Sequence, residues 1–353
     1  MSTRAEIRTH AAPSCRLCGV PGASLHVDMD DRLYGVEGRW SLLRCPECGL
    51  VWLDPSPDAA DMGRLYEAYH THDRPVHPSF VQRVIRRGIP AAVLGYGDSA
   101  GAVERATGRL LAAIGPLRET ARRSVMALSA NRRGRLLDVG CGAGLFLSVM
   151  RDLGWEVSGT ETDAAAAALA RRHVPGAVVH TGLLEDVGLP DAGYDAVTLS
   201  HVIEHVPDPE STLRSCARLL RSGGRVVLAT PNACGLGVSR FGRSWRGWEV
   251  PRHIHVFDPD TLARQVEKSG LTICSVETVT SAAFYLYLDG IRIERSTPGG
   301  PSAAGRPVGR FDQLWAVGFW LKEYEAVRRG RPVGEEVLLV AERTSQTGGA
   351  HSA

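Results

Sequence analysis

Residues 135–144 read RLLDVGCGAG, and few folds accommodate such a stretch. Leu136, Leu137 and Val139 suit a short buried strand, with Asp138 near its carboxyl end. Gly140, Gly142 and Gly144 then open a turn into a helix from Leu145. Glycines at this spacing let the backbone approach a ligand and let the helix pack closely on the strand. Downstream, the apolar runs WEVSGTE, AVVHTG, YDAVTLSH and GRVVLATPN alternate with the helical patterns GLFLSVMRDLG, DAAAAALARRH and DPESTLRSCARLLRSGG. Alternation of this length specifies an α/β fold, a doubly wound and mostly parallel sheet with helices on both faces. Two later runs, LTICSVETV and EEVLLVAER, bring the sheet to seven strands, the last able to add antiparallel.

The amino-terminal part is organised differently. Cys15-Arg-Leu-Cys18-Gly and Cys45-Pro-Glu-Cys48-Gly are two C-x-x-C-G knuckles, and SLHVDM and GRWSLLRC between them alternate like a hairpin. Two such pairs complete a four-cysteine tetrahedral site, the usual closed arrangement for structural zinc. A redox dithiol would ordinarily be a single C-x-x-C beside a βαβ unit. Cys141, Cys216, Cys234 and Cys274 are scattered and read as packing residues. The chain thus divides into a zinc ribbon (1–54), a helical connector (55–133), the sheet domain (134–343) with a loop at about 233–257, and a polar tail (344–353) expected to lack fixed structure. Ser56 or Asp58 is expected to cap a helix over LDPSPDAADMGRLYEAYHTHD. There Tyr66 and Tyr69 share a face, as core or as the lip of a pocket, and His70, His72 and His77 read as loop histidines. The Gly/Pro-rich stretch from Thr297 to Gly309 reads as a mobile loop.

Bulk properties bound the function. No run approaches the length of a membrane span and the start lacks a signal-peptide stretch, so a cytoplasmic protein without membrane contact is expected. The net charge of +2 makes no global case for nucleic acid. Between Val81 and Arg135, however, eleven arginines face only Asp98, Glu104 and Glu119. Such a run reads as a solvated helical surface or, more sharply, as a phosphate-binding one.

A dinucleotide fingerprint needs glycine at the third position of G-x-G-x-x-G, where Leu145 stands. The stretch Asp138-Val-Gly140-Cys141-Gly142-Ala-Gly144 instead resembles the first motif of the class I S-adenosylmethionine-dependent methyltransferases, and the resemblance extends over about Arg135–Asn232. It implies that Asp138, Gly140, Cys141, Gly142 and Gly144 face the methionine half of the cofactor. Glu161, with Thr162 beside it, would take both ribose hydroxyls. Where such families often place Asp for the adenine, Leu183 and Leu184 stand here, implying backbone and apolar contact with help from Glu185 or Asp186.

Four histidines are candidates for chemistry. His201-Val-Ile-Glu204-His205 matches H-x-x-E-H, but at the end of a fourth strand it is not an independent protease helix. It resembles the E-x-x-E-H of quinone-precursor O-methyltransferases, implicated in binding a divalent cation, with His201 in place of the first Glu. His201 would also border the cofactor. Glu204 and His205 could instead cap and brace the helix that follows. After the fifth strand, Trp248-Glu-Val-Pro-Arg252-His253-Ile-His255-Val-Phe257 resembles the E-H-x-x-x-F-S segment of bacterial nucleotide-sugar C-methyltransferases, which also carry an amino-terminal zinc domain. There His253 matches the catalytic His, while Arg252 replaces the Glu and Asp258 the Ser. Alternatively His253 and His255, two apart on a strand, pack together. Trp245 and Trp248 could wall an acceptor or anchor the loop.

The resulting expectation is methyl transfer from S-adenosylmethionine to a small molecule (a secondary metabolite, sugar or nucleotide-sugar), with a histidine as base or acceptor-orienting group. Two other readings are an RNA methyltransferase whose ribbon contacts rRNA or tRNA, and a non-enzymatic zinc-ribbon interaction protein.

Overall fold

The computed structural model describes residues 7–66, 79–300 and 302–344; Tyr69, His70, His72, His77 and the tail beyond Thr344 lie outside them. The ribbon comprises β1 (Ala23–Met29), β2 (Trp40–Arg44) and β3 (Val51–Asp54). After it, Ala59–Tyr66 winds as a 3-10 helix. The expected side-chain cap does not form, because Ser56 pairs with His10 in a two-residue strand and Asp58 accepts from the His10 ring at 2.9 Å. In the connector, short helical turns lead to α1 (Ala102–Leu111) and α2 (Gly115–Ser124).

The sheet domain then runs β4 (Arg135–Val139), α3 (Leu145–Asp152), β5 (Glu156–Glu161), α4 (Ala164–His173), β6 (Val178–Thr181), β7 (Tyr194–Ser200), α5 (Pro209–Leu219) and β8 (Leu220–Pro231). It continues through β9 (His255–Val256), α6 (Pro259–Lys268), β10 (Thr272–Val279), α7 (Ala283–Glu294), α8 (Arg310–Arg328) and β11 (Glu336–Glu342). Seven strands form one sheet in the order β10-β11-β8-β7-β4-β5-β6, parallel except for β11, which runs antiparallel to both neighbours.

Period-two alternation sends side chains to opposite faces, and here both faces are buried. Leu137, Val139, Val197, Leu199, Val226 and Leu228 join one apolar cluster. Leu136, Ala196, Val227 and Ala229 join another with α3 and α4. The ribbon belongs to this packing as well. Leu43, Leu50 and Trp52 share the first cluster with Leu262 and Val266 of α6. Trp40, Leu42, Val51 and Leu53 pack with Trp245, Trp248 and Tyr287. β9, from the loop after β8, pairs with β3 through His255–Trp52 and Val256–Val51. The ribbon therefore holds the post-β8 loop against the sheet.

The arginine-rich connector is not simply a solvated surface. Arg122 meets Glu277 at 2.5 Å, Arg123 meets Glu336 at 2.8 Å and Arg132 meets Glu342 at 3.4 Å. Several of its charges tie α2 and the approach to β4 onto the sheet. The described residues 297–300 and 302–309 are irregular, and Ala303 N–H donates to the Arg32 carbonyl of the ribbon at 2.9 Å.

Candidate active site

At the carboxyl end of β4 each glycine has its own reason. Gly140, Gly142 and Gly144 have φ of 69°, 53° and 86°, in the left-handed region where a side chain is strained. A Cβ on Gly140 would lie 2.6 Å from Val202, and one on Gly144 about 3.1 Å from Ala170 of α4. A Cβ on Gly142 would meet nothing within 4 Å, so the loop is open there. Glu161, ending β5, accepts from Gly142 N–H at 2.8 Å and from Asp163 N–H at 2.9 Å. Thr162 donates to the same carboxylate at 3.4 Å. Asp138 is buried between β5 and β7 and accepts the Thr198 hydroxyl at 2.7 Å; burial, with Glu161 nearby, pushes its carboxyl up to about 7. Leu183 is half exposed beyond β6, while Glu185 accepts the Thr212 hydroxyl at 2.7 Å.

A second group lies where β7 ends. His201 has φ 54°, uncommon for a residue other than glycine, and is held by a clamp on both ring nitrogens. Its Nδ1 faces Glu204 at 3.2 Å and its Nε2 faces Glu336 at 2.7 Å. Burial opposes charge on this ring, but the two carboxylates outweigh it and raise the imidazolium to about 9. Burial likewise opposes the Glu204 carboxylate, yet His201 holds it down to about 2. Its second oxygen accepts the Thr230 hydroxyl at 2.9 Å. Neither Glu204 nor His205 caps α5; Asp208 does, accepting Ser211 N–H at 3.2 Å.

His205 and the post-β8 loop complete the site. The Glu204 carbonyl accepts from Ile254 and His255 N–H groups, stapling the two segments together. His205 Nδ1 lies 3.0 Å from the Arg252 carbonyl and 2.8 Å from the Tyr66 hydroxyl. Burial and the adjacent His253 hold its pKa down to about 4. A carbonyl can only accept, so Nδ1 carries the proton and Nε2 is left with a lone pair. His253 has the opposite pattern: Nδ1 faces the Gly247 carbonyl at 2.7 Å and Nε2 faces Glu249 at 3.2 Å, so both nitrogens donate. Arg252 is fully buried, bound to Glu249 at 2.9 Å and Asp31 at 2.8 Å and stacked on Tyr34. His255 is buried, neither ring nitrogen has a hydrogen-bond partner among the described residues, and burial lowers it to about 4. Glu204, His205 and His253 each offer a ligand atom within 4.8 Å of the others. They would hold a divalent cation if His253 released Glu249.

Comparison with known proteins identifies the family of the chain. A family profile described as a methyltransferase domain matches residues 115–276. A ubiquinone biosynthesis O-methyltransferase of Xanthomonas axonopodis is 33% identical over 39% of this chain and 63% of its own length. A Thiobacillus denitrificans protein of the same name is 33% identical over 46% of this chain and 74% of its own. The chain belongs to the S-adenosylmethionine-dependent methyltransferases. It spans less than two thirds of the Xanthomonas relative, and 42% of a third such relative from Alkalilimnicola ehrlichii. Among solved structures, a methyltransferase from Archaeoglobus fulgidus matches 64% of this chain and 93% of its own, at 20% identity and a TM-score of 0.42.

In this methyltransferase the four knuckle cysteines converge, their sulfurs within 4.8 Å of one another. Cys15 and Cys48 Sγ lie 3.6 Å apart, far beyond a disulfide and near the roughly 3.8 Å edge that Zn–S bonds of about 2.3 Å give a tetrahedron. Cys48 N–H points at Cys45 Sγ at 3.4 Å, as thiolate sulfurs require. The donor set fits zinc.

Sequence reasoning did not single out Glu336, Arg123, Glu249 or Asp31 as parts of this site, and left Tyr66 between core and pocket lip. Glu336 had a signal: Glu335-Glu336 opens a buried apolar strand, and an antiparallel strand begins at the sheet edge where its parallel neighbours end. Arg123 was one of eleven arginines, and only the fold distinguishes it.

Proposed function

We propose that the chain transfers a methyl group from S-adenosylmethionine to a small-molecule hydroxyl acceptor, with His205 as the base. One observation carries the reading: Glu161 reaches across to Gly142 N–H at 2.8 Å, where the loop is open and its glycines are already in ligand-approach conformations. The methionine half would lie along Asp138, Gly140, Cys141, Gly142 and Gly144, the ribose on Glu161 and Thr162, and the adenine against Leu183. The acceptor oxygen attacks the methyl carbon in line as the carbon–sulfur bond breaks, leaving S-adenosylhomocysteine. The acceptor proton passes to His205 Nε2. His201 and His253 are held as donors and suit orientation of the acceptor, while His255 faces the ribbon core. A cation on Glu204, His205 and His253 would take the same His205 nitrogen; it would polarise an acceptor oxygen in place of the base role, not beside it. The ribbon cysteines hold zinc structurally.

The names of the matched relatives support an oxygen acceptor, and a sugar or nucleotide-sugar hydroxyl suits the same chemistry. The RNA reading loses support because connector arginines are paired with carboxylates of the sheet. Titration calorimetry with S-adenosylmethionine tests the core of the proposal. Glu161→Ala removes two hydrogen bonds to a charged acceptor and should weaken binding by about 100-fold or more, with Glu161→Gln intermediate. Wild-type affinity in both variants refutes the ribose assignment.

A further inference from the structure

A cavity of about 650 Å³ opens between α2, the outer strand β10 and the carboxyl end of α8. That is ample room for a small molecule. None of the residues assigned to the cofactor lines it. Four arginines do, Arg118, Arg122, Arg328 and Arg331, against two carboxylates, Glu119 and Glu277. Arg122 is bound to Glu277 at 2.5 Å, and Arg328 leans to Glu325 at 3.9 Å. Among the described residues, Arg118 and Arg331 have no carboxylate partner. Four positive charges against two negative ones leave a surplus that matches a dianion.

The wall is built rather than incidental. Gly115, the first residue of α2, lines the cavity, and a Cβ there would lie 1.6 Å from the Tyr324 hydroxyl oxygen. Only glycine lets the helix end and that phenol share the space, and the helix end adds partial positive charge. Leu94, Val276 and Val327 supply an apolar wall opposite. The location is also functional. Val279 of the cavity pairs with Glu336, and Glu119 of the cavity holds the Thr280 hydroxyl at 2.8 Å. The next residue, Ser281, donates to Glu336, whose other oxygen faces His201. One wall of the cavity is therefore linked, through Thr280, Ser281 and Glu336, to the cluster proposed to orient the acceptor.

We infer that this cavity binds a phosphate monoester dianion with an apolar body, and that the acceptor carries that group. Guanidinium forks bind phosphate in bidentate fashion, which a lone lysine-type charge does not reproduce. The second half of the statement rests on the proposed methyl transfer; the first does not. The test uses the full chain and titration calorimetry with phenyl phosphate, inorganic phosphate and phenol. Phenyl phosphate should bind more tightly than either control and weaken as salt rises. Arg118→Gln and Arg331→Gln should each reduce its affinity by about tenfold, with S-adenosylmethionine affinity unchanged. Equal binding of phenol, or unaltered affinity in both arginine variants, overturns the site. Loss of S-adenosylmethionine binding by the wild-type chain would instead overturn the methyltransferase reading, and phenyl phosphate would still report on the cavity.

Discussion

Three of the four candidate histidines, His201, His205 and His253, surround Glu204, yet their hydrogen-bond partners give them unlike chemistry. A base must present a lone pair to the acceptor. His201 faces a carboxylate at each nitrogen, and His253 faces a carbonyl and a carboxylate. His205 alone of these three faces a carbonyl on one side and keeps the other nitrogen as an acceptor. His205→Gln should accordingly reduce transfer by about 10²- to 10⁴-fold, while S-adenosylmethionine affinity stays within about threefold. Single-turnover rates with saturating cofactor measure this, and full transfer by the variant would move the base elsewhere. The spacing of the motifs identified which residues meet. It could not assign their roles, because those depend on Gly247, Glu249 and Glu336, which lie far off in the chain or carry no motif.

At the scale of elements, the strands were the most legible part. β4, β5, β7, β8 and β11 follow buried runs whose apolar content leaves little alternative. Less legible was Ala59–Tyr66, where the sequence suggests an α-helix and the chain forms a 3-10 turn because Asp58 and Ser56 are engaged with the amino-terminal strand. Nor does spacing reveal that β9 completes the ribbon sheet. That pairing couples a cysteine site to the loop bearing Arg252 and His253. Zinc removal should therefore uncouple the two halves of the reaction. A Cys45→Ser chain, or one stripped by a chelator, should lose transfer by about 100-fold or more as the loop comes free. Its affinity for S-adenosylmethionine should change by less than about threefold, since Gly142 and Glu161 rest on the parallel strands. Metal content, calorimetry and turnover on one preparation check this, and parallel loss of both activities would show that the ribbon supports the whole sheet.

Across the whole molecule, one consequence of the packing was invisible in the sequence: Glu323 and Glu335 are buried with no cation partner among the described residues. Glu323 of α8 accepts Glu335 N–H at 2.7 Å and meets the Tyr287 hydroxyl, and Glu335 accepts Trp245 Nε1–H at 2.6 Å. Burial, together with Glu335, raises Glu323 to about 9, and burial raises Glu335 to about 7. A carboxyl whose folded pKa is raised keeps its proton in the folded chain after the unfolded chain has lost it. Stability is then undiminished at acid pH and falls as pH climbs toward the folded value. For Glu323 the slope is at most about 1.4 kcal/mol per pH unit and halves at the folded value, so the loss from pH 7 to 9 is on the order of 2 kcal/mol. With an unfolding entropy of roughly 0.7 kcal/mol/K for a chain of this size, Tm should drop by about 3 °C over that interval. His201, whose pKa is raised by its carboxylates, adds stability present at neutral pH and lost as pH rises through about 9, so it acts in the same direction. Glu323→Gln keeps one acceptor and one donor where the protonated acid has them, so it should fold normally and flatten the alkaline slope. Calorimetric scans of both chains at pH 7, 8 and 9 provide the check. An equal slope in the variant would mean that Glu323 is already ionised in the folded chain and that its partners, not its proton, hold it inside.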